Sequence, residues 1–462
     1  MTSTTSAASL PMRRMPAPAA APARRAVGTA PPVKLSRAGY AFIVVLLTVV
    51  FEGAIRKWIT AGATAPLLLL RDGLALYLVF HAWRGGHLRQ HIRITTVMVA
   101  WTCCVLAWSL MQSIAGESSL VLLAVGLRFW LLYSWFAVAA AAAMNQTDYR
   151  VAIRIVALLM LMLAPLAVLQ HYSSQGSTIN RQIDGDEESV FVVVAGVVRT
   201  TGTFSFTSGY AAFILLAAPL ILGYLGTRKY GKRHWVFALT VFAALLAGSV
   251  VSGSRTAVLS AGGLLAAYVA GRVILARGRD RPAAIIAALM ALLLVGAFAY
   301  FFSDAVSVTQ ERFETAAGDE NFLDRLTAVF FGEPTVMKAF DWLGSGIGTG
   351  SNLATSLKSG ADNFGLAESE AGRILLEGGL LGFAYIALKI AVLVAALVQS
   401  WRLSFRTHSP FPMLMGLALL LGLFTWPAIG QLSANAMLGL LLGFFLLMCK
   451  FPSAELFVKK RR

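Results

Sequence analysis

The chain carries twelve apolar stretches, each close to the ~20 residues an α-helix needs to cross ~30 Å of hydrocarbon. They span 38–55, 65–83, 94–112, 119–143, 151–171, 207–226, 235–252, 256–276, 283–302, 372–398, 411–428 and 432–450. None alternates apolar and polar residues over ~10 positions, as the strands of a membrane β-barrel do. With 58% hydrophobic and only 13% charged residues, the 462-residue chain has too few charges to cover a water-facing surface of its size. A soluble enzyme, a disordered protein and a nucleic-acid binder are therefore disfavoured. The predicted fold is an all-α integral membrane protein of about 12 transmembrane helices.

Thirty-nine Lys and Arg against 22 Asp and Glu give a formal net charge of +17. Much of that excess lies in short connections: RGGHLRQHIR (84–93), TRKYGKRH (227–234), RGRDR (277–281) and WRLSFRTH (401–408). An even number of spans puts these four, the N-terminal tail and the C-terminal KKRR on one side. The positive-inside rule makes that side the cytoplasm. Both termini are then cytoplasmic. Residues 1–37 form a disordered Ala/Pro-rich tail, 38–302 hold helices 1–9 with a periplasmic loop at 172–206, 303–371 form a large periplasmic loop between helices 9 and 10, 372–450 hold helices 10–12, and 451–462 are a basic tail.

The large loop contains the helix-like stretches VTQERFETA and NFLDRLTAVFF and the glycine-rich LGSGIGTGSN (343–352). Glycines 344, 346, 348 and 350 lack the strand–helix context of a dinucleotide fingerprint, so they read as tight turns open to close backbone approach. Gly262-Gly263 and Gly378-Gly379 fit close helix packing. Cys103, Cys104 and Cys449 lie in apolar runs and imply no disulfide framework. The acidic groups DGDEES (184–189) and Asp319, Glu320 and Asp324 read as solvated loops, and the histidines lack metal-ligand spacing, so no metal or cofactor is predicted.

Several charges are left unexplained by topology. Glu52, Arg56 and Lys57 close the first span in FEGAIRKWI, and Arg71-Asp72 lies ~9 Å below the outer end of the second. Arg128 is ~13 Å into the fourth span, Arg199 precedes the sixth, Arg255 opens the eighth, and Arg373 begins the tenth. All fall in the outer half or at its rim. An intramembrane charge costs at least ~2.5–3.5 kcal/mol on insertion scales and marks a site by default. Converging guanidinium groups suit an anion presented from the outer leaflet, because they stay charged and bind phosphate bidentately. The structural alternatives are ion pairs for Arg71-Asp72 and for Glu52 with Arg56, a backbone hydrogen bond for Arg128, and a cap at the mouth for Arg373. Glu368 and Glu370, just before the tenth span, fit either a general base toward a hydroxyl or acids at a helix N-terminus.

Four segments carry a likeness to a known family: RTTGTFSFTSGYAAF (199–213), GSRTA (253–257), WLGSGIGTG (342–350) and ESEAGRILLEGGLLG (368–382). In this order and topology they resemble the bacterial O-antigen ligase/polymerase superfamily of membrane glycosyltransferases, over roughly residues 190–450. The resemblance implies a donor glycan on undecaprenyl diphosphate, with Arg199 and Arg255 clamping the diphosphate. It implies Glu368 or Glu370 as base, with Arg71, Arg128, Arg312, Arg325 and Arg373 binding substrate. It also implies inverting transfer without metal or nucleotide, in the inner membrane with the site facing the periplasm. Polysaccharide chain-length and export proteins would be further partners. The ligases carry a His-Asn pair about nine residues before the Glu-x-Gly, whereas Glu368 stands at that distance from Glu377 and no histidine is near. That departure favours a polymerase of exopolysaccharide or O-antigen units over a ligase to lipid A core. A secondary transporter or flippase is the alternative of another class, disfavoured by the absence of an internal repeat and by charges gathered away from the midplane.

Overall fold

A computed structural model describes residues 34–116, 119–183, 198–226, 232–276, 280–301, 322–351 and 369–452, together with 303, 310, 354, 367 and 457. The chain divides into two units, Met1–Lys34 and Leu35–Arg462, and the helical architecture belongs to the second. The predicted tail at 1–37 falls almost wholly outside the described residues, as does DGDEES.

Every regular element among the described residues is a helix. In chain order these are α1 (Arg37–Trp58), α2 (Thr64–Arg84), α3 (Ile92–Ile114), α4 (Leu120–Leu127), a π turn (Arg128–Leu132), α5 (Tyr133–Ala143) and α6 (Gln146–Tyr172). They continue with α7 (Thr207–Leu225), α8 (Lys232–Val250), α9 (Arg255–Leu275) and α10 (Asp280–Phe301). Two short helices follow, α11 (Phe322–Phe331) and α12 (Pro334–Lys338), and then α13 (Glu370–Gly378), α14 (Leu380–Thr407), α15 (Phe411–Thr425) and α16 (Leu432–Lys450).

Ten helical stretches among the described residues are long and apolar enough to cross a membrane. An apolar run has little choice in lipid, where a helix satisfies every backbone group within its own segment. Polar residues mark the starts: Ser36, Ser119, Asn145, Ser254 and Ser369 each accept a backbone N–H of the first turn. Two predicted spans differ in kind. The 283–302 run gives the 22-residue α10 (Asp280–Phe301), and 411–428 yields only the 15-residue α15. The tenth run, read as 372–398, breaks at Gly379 (φ +53°), so the long helix begins at Leu380 and runs to Thr407. Most of WRLSFRTH, expected as a loop, is thus the end of α14.

The helices pack around α7, with 89% of its apolar window inside the protein, while α2 and α3 bury only 17% and 11% of theirs. Ser36 Oγ donates to Asp148 Oδ2 (2.6 Å), which ties the start of α1 to the start of α6. A main core joins α1, α5–α9, α15 and α16, and a smaller one gathers Phe129, Trp130, Ile347, Ile374 and Leu375. Gly262 and Gly263 are exposed with nothing against them, contrary to the packing expected there, whereas Gly378 meets the Trp130 ring.

Candidate functional site

A cavity of about 660 Å³ opens where six helices end. Its walls come from the last turns of α1 and α15, the first turns of α2, α7, α9 and α16, and the segment 199–206. The far end of each of these helices leads into a basic segment or tail, so the cavity and the basic connections belong to opposite ends of the bundle. Three guanidinium groups, Arg56, Arg71 and Arg199, line it against one carboxylate, Glu52, and eight side-chain hydroxyls. Four helix N-termini point their partial positive charge into it. In three of them, at Ala63, Phe206 and Gln431, no side chain caps the first turn. Arg71 is 1% exposed, and its Nη2 has no hydrogen-bond partner among the described residues.

The two arginines from neighbouring elements are held by different means. Arg56 Nη1 donates to Ser205 Oγ at 3.3 Å. The segment bearing Arg199 is pinned from two sides. Lys57 Nζ donates to Thr201 Oγ1 (2.8 Å) and to the Gly202 carbonyl (3.0 Å). Gln170 Oε1 accepts the N–H groups of Thr201 and Gly202 (3.2 and 2.7 Å), and Thr203 Oγ1 donates to the Val50 carbonyl. Gly53 is what lets α1 come this close, since a Cβ there would overlap the backbone of Phe204 and Ser205. The segments FEGAIRKWI and RTTGTF are therefore two halves of one wall.

Below the cavity runs a chain of alternating charges. Arg71 Nη1 donates to Glu52 Oε2 (2.5 Å), and Arg71 Nε lies 3.6 Å from Asp72 Oδ1. Asp72 also takes two bonds from Arg128, Nε to Oδ2 (2.5 Å) and Nη2 to Oδ1 (3.2 Å), and one from the Tyr133 hydroxyl (2.8 Å). Pairing makes these intramembrane charges tolerable, because a lone buried ion costs several kcal/mol. Glu52 thus pairs with Arg71, not with the neighbouring Arg56, and Arg128 is engaged by a carboxylate, not by a carbonyl. Arg128 is not among the cavity-lining residues.

The connection between α15 and α16 forms a wall with two faces. Trp426, Pro427 and Gln431 line the cavity. On its other face the Ile429 N–H donates to Glu370 Oε2 (3.0 Å), and the Arg373 guanidinium lies against Gly430, with Nε donating to the Ala367 carbonyl (2.9 Å). Glu370 is also paired with Lys389 (3.5 Å). Burial raises the Glu370 carboxyl above its ordinary range, and the Lys389 ammonium and the Ile429 N–H oppose that shift. Both residues sit behind the cavity wall, and neither lines the cavity.

The glycine-rich loop clasps α13 and the third and fourth spans. Gly344, Gly346 and Gly348 all have positive φ, and a Cβ on Gly348 would lie 2.5 Å from the Leu122 carbonyl. Glu377, fully buried, accepts the Gly350 N–H (2.9 Å) and the Trp130 indole N–H (2.8 Å). Gln112 Nε2 donates to the carbonyls of Leu343 (2.7 Å) and Glu377 (2.8 Å), and its Oε1 accepts the Ile347 N–H (3.0 Å).

Of the residues predicted from sequence, Arg71 and Arg199 line the cavity, and Arg255 stands between the lining residues Ser254 and Thr256. Glu368 and Arg312 lie outside the described residues, as do the side chains of Arg325 and Asp324. Sequence reasoning gave no role to Lys57, Gln112 or Gln170, although a polar side chain at the end of an apolar run is a signal for such ties. No family model matches the chain, and no curated protein matches it in sequence.

Proposed function

We propose that the protein is a bacterial inner-membrane glycosyltransferase that polymerises exopolysaccharide or O-antigen repeat units from undecaprenyl diphosphate at the periplasmic face. The reading counts α10 and α15 as crossings, which gives twelve spans, both termini in the cytoplasm and residues 303–371 outside. One observation carries it: Arg56, Arg71 and Arg199, from three different elements, meet in one cavity at the helix ends opposite the basic connections. The cavity volume lies within the ~300–1,000 Å³ usual for small-molecule sites. Its charge and its uncapped helix N-termini suit a diphosphate, and its hydroxyls suit a sugar.

In this reading Arg56 and Arg199, with Arg255 beside them, hold the diphosphate and take up the charge that grows as it leaves. Glu370 and Arg373 brace the wall at Ile429 and Gly430 from behind. Arg199→Ala and Arg255→Ala are expected to abolish polymer formation while membrane levels stay unchanged, measured by polymer analysis and immunoblotting. Full activity of either variant removes that residue from the clamp.

A further inference from the structure

We infer that Glu52 is the general base that takes the proton from the acceptor hydroxyl, an inference that rests on the transfer reading above. Among the described residues it is the single carboxylate lining the cavity. Its Oε2 is fixed by Arg71, and its Oε1 accepts the Ser433 hydroxyl at 2.9 Å. Ser433 itself lines the cavity. A carboxylate has about four acceptor positions. Oε1 therefore keeps room for a second hydroxyl, and the first already reaches it from a cavity-lining residue. The other described acids near this end are committed elsewhere: Asp72 to Arg128 and Tyr133, Glu333 to Ser369, Asp341 to Leu343, Glu370 to Lys389 and Ile429, Glu377 to Trp130 and Gly350.

The acceptor oxygen bonds to the anomeric carbon of the lipid-linked sugar while its proton passes to Glu52 Oε1. The bond from that carbon to the phosphate oxygen breaks, and its electron pair leaves with the diphosphate. Protonation strips Glu52 of its charge at the moment the leaving group gains one. Arg71, which lines the cavity with Nη2 unpartnered among the described residues, is then released toward that new charge. The proton on Glu52 later passes to water.

The test uses the purified full chain, with undecaprenyl diphosphate as the binding probe and lipid-linked repeat units as substrate. Glu52→Gln keeps the side-chain shape, and Arg71 retains Asp72 at 3.6 Å. It is expected to lower kcat by at least ~100-fold while probe affinity stays within about threefold of wild type. Glu52→Asp keeps the charge but withdraws it by one methylene, and is expected to lose at least ~10-fold in kcat at unchanged affinity. A wild-type kcat in Glu52→Gln overturns the assignment. So does a wild-type kcat in Glu52→Asp, the outcome for a mere counter-ion to Arg71, and this variant decides if Glu52→Gln fails to fold. The wild-type chain separates the two levels: glycan lengthening by wild type beside normal turnover in Glu52→Gln rejects only the base, whereas a wild type that binds the probe and lengthens no glycan rejects the transfer reading itself.

Discussion

Lys57 Nζ reaches across the bundle to Thr201 Oγ1 at 2.8 Å, joining the end of the first helix to the segment that carries Arg199. Lys57 is 3% exposed, and no carboxylate lies within ion-pair distance of it among the described residues. A buried cation held only by neutral acceptors contributes little net stability, since desolvation offsets the bonds it makes. Its effect is positional: it fixes where the 199–206 wall stands relative to Arg56.

That placement yields the first prediction. Lys57→Met is expected to unfold within about 1 kcal/mol of wild type, yet to lose at least ~10-fold in polymer formation, because misplacement by about 1 Å is enough to cost that much. Thermal unfolding in detergent, set beside polymer yield, checks it. Wild-type yield would mean that Gln170 and Thr203 position the wall without Lys57.

The charge chain under the cavity makes a second prediction, about stability. Asp72→Asn removes the bidentate partner of Arg128 and leaves a largely buried guanidinium uncompensated, a loss of up to ~3 kcal/mol. Adding Arg128→Met in the same chain is expected to restore much of that loss. A double-mutant cycle from unfolding midpoints measures the coupling, and simple additivity of the two changes would contradict the pairing.

Gly348 gives a third. Its φ of +97° and the nearby Leu122 carbonyl leave no room for a side chain. Gly348→Ala is expected to cost ~1–3 kcal/mol and to expose the loop to protease. Gly262→Ala, with nothing against it, serves as the control and is expected to be silent. Equal protease resistance in both variants would contradict the clasp.

The helices were legible because length and apolarity alone dictate them: each of the twelve runs contains a helix. The interruption at Gly379 was signalled only by the glycine pair, and the shortness of α15 only by Pro427, which pushes the backbone of Trp426 out of the helical region although the run stays apolar. The cavity arginines Arg71 and Arg199 were legible as charges in the wrong half of the membrane. Which charges pair was not. Glu52 meets Arg71 across a helix–helix contact, and Asp72 meets Arg128 from a residue 56 positions away, relations that sequence spacing does not encode. Lys57 stands out in the sequence only as a charge that topology leaves unexplained, because nothing local shows that its partners lie at Thr201 and Gly202.

The central claim is that the arginine-lined cavity joins glycans carried on a lipid diphosphate. The most direct test places the purified protein in liposomes with undecaprenyl-diphosphate-linked repeat units and measures glycan length on the lipid. The account predicts longer glycans with wild type and none with Arg199→Ala. Movement of the lipid-linked units across the bilayer without any new glycosidic bond would contradict it and make the protein a transporter.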